Sequence, residues 1–326
     1  MKVVPTSRLA LGALAACLIA ASAAAQAQGY PTRPIRLVVP TSPGGGTDLT
    51  ARKMAPKLSE YLGQQVVVEN RAGGNTMIGM ESVARAAPDG YTVAMGIGSL
   101  TMAPYTQIKV PYDPAKDFAP VSQVLVVPNM LVSHPSLPAR SLKELIAHIK
   151  ARPGELHFTA GGTGSNAHLS MELFLFSTGL KMIYVAYKGQ GPAMTDVLAG
   201  HVPVMMADFM SALPRVKAGT LRAYGVTGAK RSTVAPDIPT IAEAGVAGYD
   251  VVQWFGILAP AKTPPEVIAK LHAATVSALK DPATRASFIN EGAEPIGSTP
   301  EEFAAVIRND LRKWAKVTKD AGYKPH

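Results

Sequence analysis

Ile35-Arg36-Leu37-Val38-Val39-Pro40 runs directly into Thr41-Ser42-Pro43-Gly44-Gly45-Gly46-Thr47-Asp48, and this junction decides the fold. The first six residues form a β-rich apolar run that reads as a buried strand. The glycines supply a turn, and from Asp48 onward Leu49, Met54, Leu58 and Leu62 recur near helical spacing until Gly63 stops them. A strand that reaches a helix through a short glycine-rich turn opens a βαβ unit. The residues that follow complete it: a strand over Gln65 to Glu69, a helix over Met77 to Ala87 halted by Pro88-Asp89-Gly90, and a strand over Tyr91 to Gly96. That order predicts an α/β fold with a largely parallel sheet and helices on both faces.

A second block repeats the pattern. Ser141-Leu142-Lys143-Glu144 is a capping box opening a helix that Pro153-Gly154 ends. A strand over Leu156 to Ala160 leads into Gly161-Gly162-Thr163-Gly164-Ser165 and a helix over Asn166 to Ser177. Met182 to Tyr187, Val202 to Asp208 and Leu221 to Thr227 are further strands, and three helices close the chain, the last capped by Thr299-Pro300-Glu301-Glu302. The apolar runs Phe118 to Val132 and Val251 to Ala259 are either ordinary core strands or crossovers between two lobes. As crossovers they divide the chain into residues 1–27 as a leader, 28–123 plus 251–326 as one lobe, and 124–250 as the other. A cleft between such lobes is a common place for a small ligand.

Each glycine-rich turn lies between a strand and a helix, where glycine lets backbone N–H groups approach a ligand and the helix start adds its positive end. Thr41, Ser42, Gly44, Gly45, Gly46 and Thr47 in the first turn, and Gly162, Thr163, Gly164, Ser165 and Asn166 in the second, are therefore candidate anion-binding residues. The plainer reading is that these glycines solve only a turning problem. Asp48 reads as a cap on its helix or as a partner for a ligand amino group. His168 reads as a packing residue or a cleft residue one turn into its helix. Tyr187 and Asp208, at or just beyond strand ends, are further cleft candidates. Trp254 reads as hinge core or pocket lining.

Other chemistries find no support. No phosphate-loop lysine motif or dinucleotide fingerprint is present, and neither is a Gly-x-Ser-x-Gly elbow or a His-Glu-x-x-His pair. No cofactor or metal is expected, and no catalytic residue is assigned. A hydrolase using Ser42, Ser99 or Ser165 is the weakest alternative, since no base accompanies those serines. The formal charge of +9 suggests an acidic partner such as nucleic acid. However, Lys2 and Arg8 precede the apolar run Leu9 to Ala25 and the small-residue site Ala25-Gln26-Ala27, the layout of a secretory leader. Cleavage after Ala27 removes both cations and the single cysteine, Cys17, so the mature chain carries neither a disulfide nor a catalytic thiol. Lipidation at Cys17, within Leu14-Ala15-Ala16-Cys17, is the alternative processing. With 6% aromatic residues and no binding motif, an exported chain of this kind is not expected to bind nucleic acid.

Tyr30-Pro31-Thr32-Arg33-Pro34-Ile35, Val68-Glu69-Asn70-Arg71-Ala72-Gly73-Gly74, Asp117-Phe118-Ala119-Pro120-Val121, Pro239-Thr240-Ile241-Ala242-Glu243 and Trp254-Phe255-Gly256 stand in order around the two turns. Together they resemble the Bug (TctC-type) extracytoplasmic solute receptors of tripartite tricarboxylate transporters. The resemblance implies a periplasmic binding protein-like fold, two α/β lobes joined by a two-strand hinge with the ligand cleft between them. It further implies that the two turns hold a carboxylate of a small organic acid, that the lobes close on it, and that a membrane permease of large and small subunits receives it. A carboxylate sensor feeding a kinase is the alternative outlet. A periplasmic monomer is expected.

Overall fold

The computed structural model describes residues 29–320 together with 322, 323 and 325. The expected leader, its cleavage site and Cys17 lie outside the described residues. The first lobe opens with β1 (Ile35–Val39), α1 (Gly46–Leu62), β2 (Val66–Asn70), α2 (Met77–Ala84), β3 (Thr92–Ile97) and α3 (Ser99–Thr106). The chain then enters β4 (Phe118–Ser133), a strand of 16 residues. Beyond it come α4 (Leu142–Lys150), β5 (His157–Thr159), α5 (Asn166–Thr178), β6 (Ile183–Tyr184), α6 (Gln190–Leu198), β7 (Val204–Asp208), α7 (Phe209–Lys217) and β8 (Arg222–Val226). The last elements are β9 (Val252–Pro260), α8 (Pro265–Lys280), α9 (Pro282–Asn290), β10 (Glu294–Pro295) and α10 (Pro300–Asp320).

Local chemistry explains several boundaries. In α4 the Ser141 hydroxyl accepts from the Glu144 N–H while Glu144 reaches back to the Arg140 N–H. At α10 the Thr299 hydroxyl accepts from the Glu302 N–H and the Glu302 carboxylate takes the Thr299 N–H, a reciprocal capping box. Gly63 and Gly179 end α1 and α5 in the left-handed conformation that glycine adopts without a Cβ clash.

Strand order along the sheet is β2-β1-β3-β9-β4-β7-β5-β6, with β8 and β10 also paired to β4. β4 serves both lobes. Phe118 to Pro128 pair antiparallel with β9, whereas Asn129 to Ser133 pair antiparallel with β7, and Met130 to Ser133 also with β8. The switch falls at Pro128, which has no N–H to donate to a ladder. The expected parallel sheet is thus found on the flanks, where β1 pairs parallel with β2 and β3, and β5 with β6 and β7. Its centre is antiparallel because β4 and β9 run in opposite directions between the lobes.

The packing follows this layout. Val38, Ala94, Leu258, Phe303 and Ile307 share one buried cluster, and Leu131, Phe158, Phe174, Met206 and Trp314 share another. Helix α10 therefore enters the first-lobe core through Phe303 and Ile307 and the second-lobe core through Trp314. Between them, the Asp310 carboxylate accepts hydrogen bonds from Thr101 on α3 and from the Trp254 indole on β9. Trp254 is buried, and its ring meets Phe303 edge to face.

Candidate functional site

The first turn links the C-terminal end of β1 to α1. Its tip, Ser42 to Gly45, is exposed, whereas Thr47 and Asp48 are buried. Asp48 is occupied by its own neighbourhood: one carboxylate oxygen accepts from the Gly44 N–H at 2.9 Å, the other from the Asn70 amide at 2.9 Å, and Arg52 reaches both at 3.0 Å. Burial works against the charge, but the hydrogen bonds from Arg52, Gly44 and Asn70 outweigh it and hold the carboxyl below its usual value. Asp48 folds the turn around itself, which accounts for an acid beside an otherwise electropositive loop. Asn70 also donates to the Thr41 carbonyl. The Thr41 hydroxyl is buried and has no partner among the described residues.

The second turn links β5 to α5. Ser165 caps the helix by accepting the His168 N–H. His168 is buried, its Nδ1 accepts the Gly164 N–H at 3.0 Å, and its ring stacks on Tyr184 with centroids 3.9 Å apart. Accepting at Nδ1 fixes the neutral tautomer with its proton on Nε2, which lies 3.4 Å from a Glu172 carboxylate oxygen. His168 thus sets the shape of the turn. A His168→Phe change keeps a ring for Tyr184 but strands the Gly164 N–H, at a cost of about 1–2 kcal/mol. Denaturant titration should show that loss, and the Gly164 amide should exchange with solvent markedly faster.

A third segment, which sequence reading did not single out, lies against the second turn. Asn75 and Thr76 adopt φ of 49° and 78°, and the Asn75 amide nitrogen is buried without a partner. Asparagine enters the left-handed region readily, but a β-branched threonine does so only when the surroundings hold it there. A side chain at Gly164 would place its Cβ 2.9 Å from that Asn75 nitrogen, 3.1 Å from Gln107 and 3.3 Å from Thr106. On the other side, a Cβ at Gly79 on α2 would lie 2.7 Å from Pro40, at the base of the first turn. Asn75 therefore lies against the second turn, while the helix that follows it packs at the base of the first. Asn166 ties the second turn to both crossover strands, accepting from the Asn129 amide on β4 at 2.6 Å and reaching the Val252 carbonyl on β9 at 3.4 Å.

Two other expected residues behave differently from each other. The Tyr187 hydroxyl donates to Asp196 on α6; that bond, with added burial, raises its pKa to about 12. What Tyr187 presents beside Gly162 is its carbonyl, 3.8 Å from where a Cβ there would stand. Asp208 ends β7 with a carboxylate that has no hydrogen-bond or ion-pair partner among the described residues, and burial alone raises its pKa to about 6. Among the described residues no group of three or more His, Cys, Asp or Glu is placed to hold a metal ion, and no helix is long and apolar enough to cross a membrane.

The profile for the tripartite tricarboxylate transporter family receptor matches residues 50–323. The chain belongs to this receptor family. Among its relatives is Protein BugT of Bordetella pertussis, 39% identical over 305 residues that cover 93% of this chain and 94% of BugT. Two solved receptors superpose over nearly their full length. One is Rpa4515 of R. palustris with adipate, at TM-score 0.86 and 37% identity over 91% of this chain and 100% of that one. The other is MatC from Rhodopseudomonas palustris with bound malate, at TM-score 0.82 and 31% identity over 88% and 99%. The receptor fold accounts for two lobes built on β4 and β9. Asn75, which lies against Gly164 of the second turn, and Thr76 beside it were not singled out by sequence reading; the Gly73-Gly74-Asn75 run was the one available signal for them.

Proposed function

We propose that this chain is a periplasmic receptor that captures a small organic carboxylate between the turns Thr41–Asp48 and Gly161–Asn166 and delivers it to a membrane permease of large and small subunits. The observation that carries this reading is the pair of turns, each at the C-terminal end of a parallel strand and the start of a helix, with Asn75 of the first lobe lying against Gly164 of the second turn. Backbone N–H groups and helix ends recognise a carboxylate without cationic side chains. Relatives that hold adipate and malate support the ligand class. Thr41, Ser42, Gly44 to Thr47, Gly162 to Asn166 and Asp208 are the proposed ligand-facing residues, while Asp48, His168 and the Tyr187 hydroxyl are proposed to hold the loops in shape.

The proposed lobes are residues 28–123 plus 251–326 and residues 124–250. The ligand bridges them, so it stabilises the closed arrangement by the difference in its affinity for the closed and open forms. The protein works as a monomer without catalysis, and residues 1–27 direct its export. In a thermal-shift series on the ligand-free mature protein, di- and monocarboxylates should raise the melting temperature, and methyl esterification of an active acid should abolish the rise. An ester that binds as well as its acid would overturn the reading.

A further inference from the structure

The second turn is held by a bond that a single proton reverses. His168 stands in the first turn of α5, and its Nδ1 accepts the Gly164 N–H at 3.0 Å. Only an unprotonated ring nitrogen accepts; in the imidazolium both nitrogens donate. Gly164 has little room to answer such a change. Its φ is 72°, and its flank is closed by Asn75, Gln107 and Thr106, at 2.9 to 3.3 Å from where a Cβ would stand. Nearby acceptors are engaged as well, the Gly162 carbonyl by the Ser165 N–H and the Ser165 hydroxyl by the His168 N–H.

Four side chains face the ring. Glu172, one turn further along α5, lies 3.4 Å from Nε2. Tyr184 on β6 stacks at 3.9 Å between centroids, Phe158 on β5 at 6.2 Å, and Tyr323 beyond α10 meets the ring edge to face at 6.2 Å. Burial raises both phenols above their usual value, so Tyr184 and Tyr323 stay uncharged over the range in which an imidazole titrates. A proton arriving on Nδ1 therefore finds its counter-charge in Glu172, at the other nitrogen of the ring. The imidazolium is satisfied there while the bond to Gly164 is lost. Two N–H groups then face each other across the former bond, and a buried donor without an acceptor is unfavourable, so the turn moves away from His168.

We propose that the His168–Gly164 bond makes this receptor's hold on its carboxylate proton-sensitive: the second turn keeps its ligand-holding shape only while His168 is neutral, and acid weakens binding. A ligand that binds the turn held by neutral His168 competes with the proton, so affinity is full at the alkaline end and falls with pH. The inference rests on the carboxylate reading above, and the experiment separates the two. Calorimetry with succinate, malate and adipate on the mature protein, from about pH 8 to about pH 5, would compare the native chain with His168→Asn and Glu172→Gln, each confirmed to melt cooperatively. An asparagine oxygen accepts an N–H without titrating, so His168→Asn carries only the pH dependence that the ligand's own carboxyls bring. The expected result is a loss of about tenfold in the native chain beyond that in His168→Asn, displaced to lower pH in Glu172→Gln. Nitrogen NMR shifts of the native His168 ring should show Nδ1 gaining its proton over the same interval; a ring that stays neutral while affinity falls overturns the proposal even where a variant fails to fold. A native profile that matches His168→Asn, or tightens in acid relative to it, overturns the proton dependence and leaves the carboxylate reading intact. Binding of no member of the panel at any pH overturns both.

Discussion

Gly164→Val is expected to weaken binding of any carboxylate that closes the lobes by about ten- to a hundredfold, while the protein still melts cooperatively. Gly164 has φ of 72°, where an L-residue is strained by roughly 1–2 kcal/mol. That strain is present whether the lobes are open or closed, and it lowers stability more than affinity. The binding effect comes from the contact across the cleft, where a Cβ would meet Asn75, Gln107 and Thr106 at 2.9 to 3.3 Å. Overpacking of this kind costs about 1–3 kcal/mol and is felt mainly when the turns approach. At about 1.4 kcal/mol per decade this gives the stated range. Gly45→Ala is the matched control. Gly45 has φ of −81°, and the nearest atom to its missing Cβ is the Ser42 carbonyl at 3.7 Å. Calorimetry should therefore show a smaller change there; equal losses at both positions would mean that closure does not bring Gly164 against the first lobe.

The largest stability effect is expected at Phe303. Its side chain is fully buried against Trp254 and over Gly256 of β9, and Phe303→Ala should lower unfolding free energy by about 3–5 kcal/mol. Gly256 is glycine for the same reason, since a Cβ there would stand 2.2 Å from the Phe303 ring and 3.0 Å from the Ser122 carbonyl. The two positions are therefore coupled. Gly256→Ala alone should destabilise by overpacking, but in a Phe303→Ala background its clash with the ring disappears. Urea titrations of the four proteins should show the double mutant clearly more stable than the sum of its parts predicts. Additive losses would show that the ring does not set the limit at Gly256.

Much of this architecture was legible because it rests on local chemistry. The β1 strand, its glycine turn and α1 are written in consecutive residues, and the capping boxes at Ser141 and Thr299 place two helix starts to the residue. What was not legible depends on distant partners. Helix α3 carries Pro104 and has Ser99 to Ala103 and Thr106 all buried, so it has no polar face to give a helical period. The two residues of β10 become a strand only because β4 passes beside them. The antiparallel centre of the sheet is likewise a property of where β4 and β9 return, which periodicity does not encode. In the site, the glycine turns were visible from their composition. The commitment of Asp48 to Arg52 and Asn70, and of His168 to Gly164, required knowing which side chains come within hydrogen-bonding distance.

Helix α10, rooted in both cores, restricts how the molecule opens. A hinge made of β4 and β9 alone would permit both bending and twisting of one lobe against the other. Phe303 and Trp314, fixed on one rigid rod to opposite lobes, resist the twist, because it would drag one aromatic anchor out of its socket. The motion that remains resembles a door swinging about an edge lined by β4, β9 and α10, and Asn166 holds the second turn close to that edge. Shortening either anchor would therefore loosen the twist of the lobes while leaving both turns untouched.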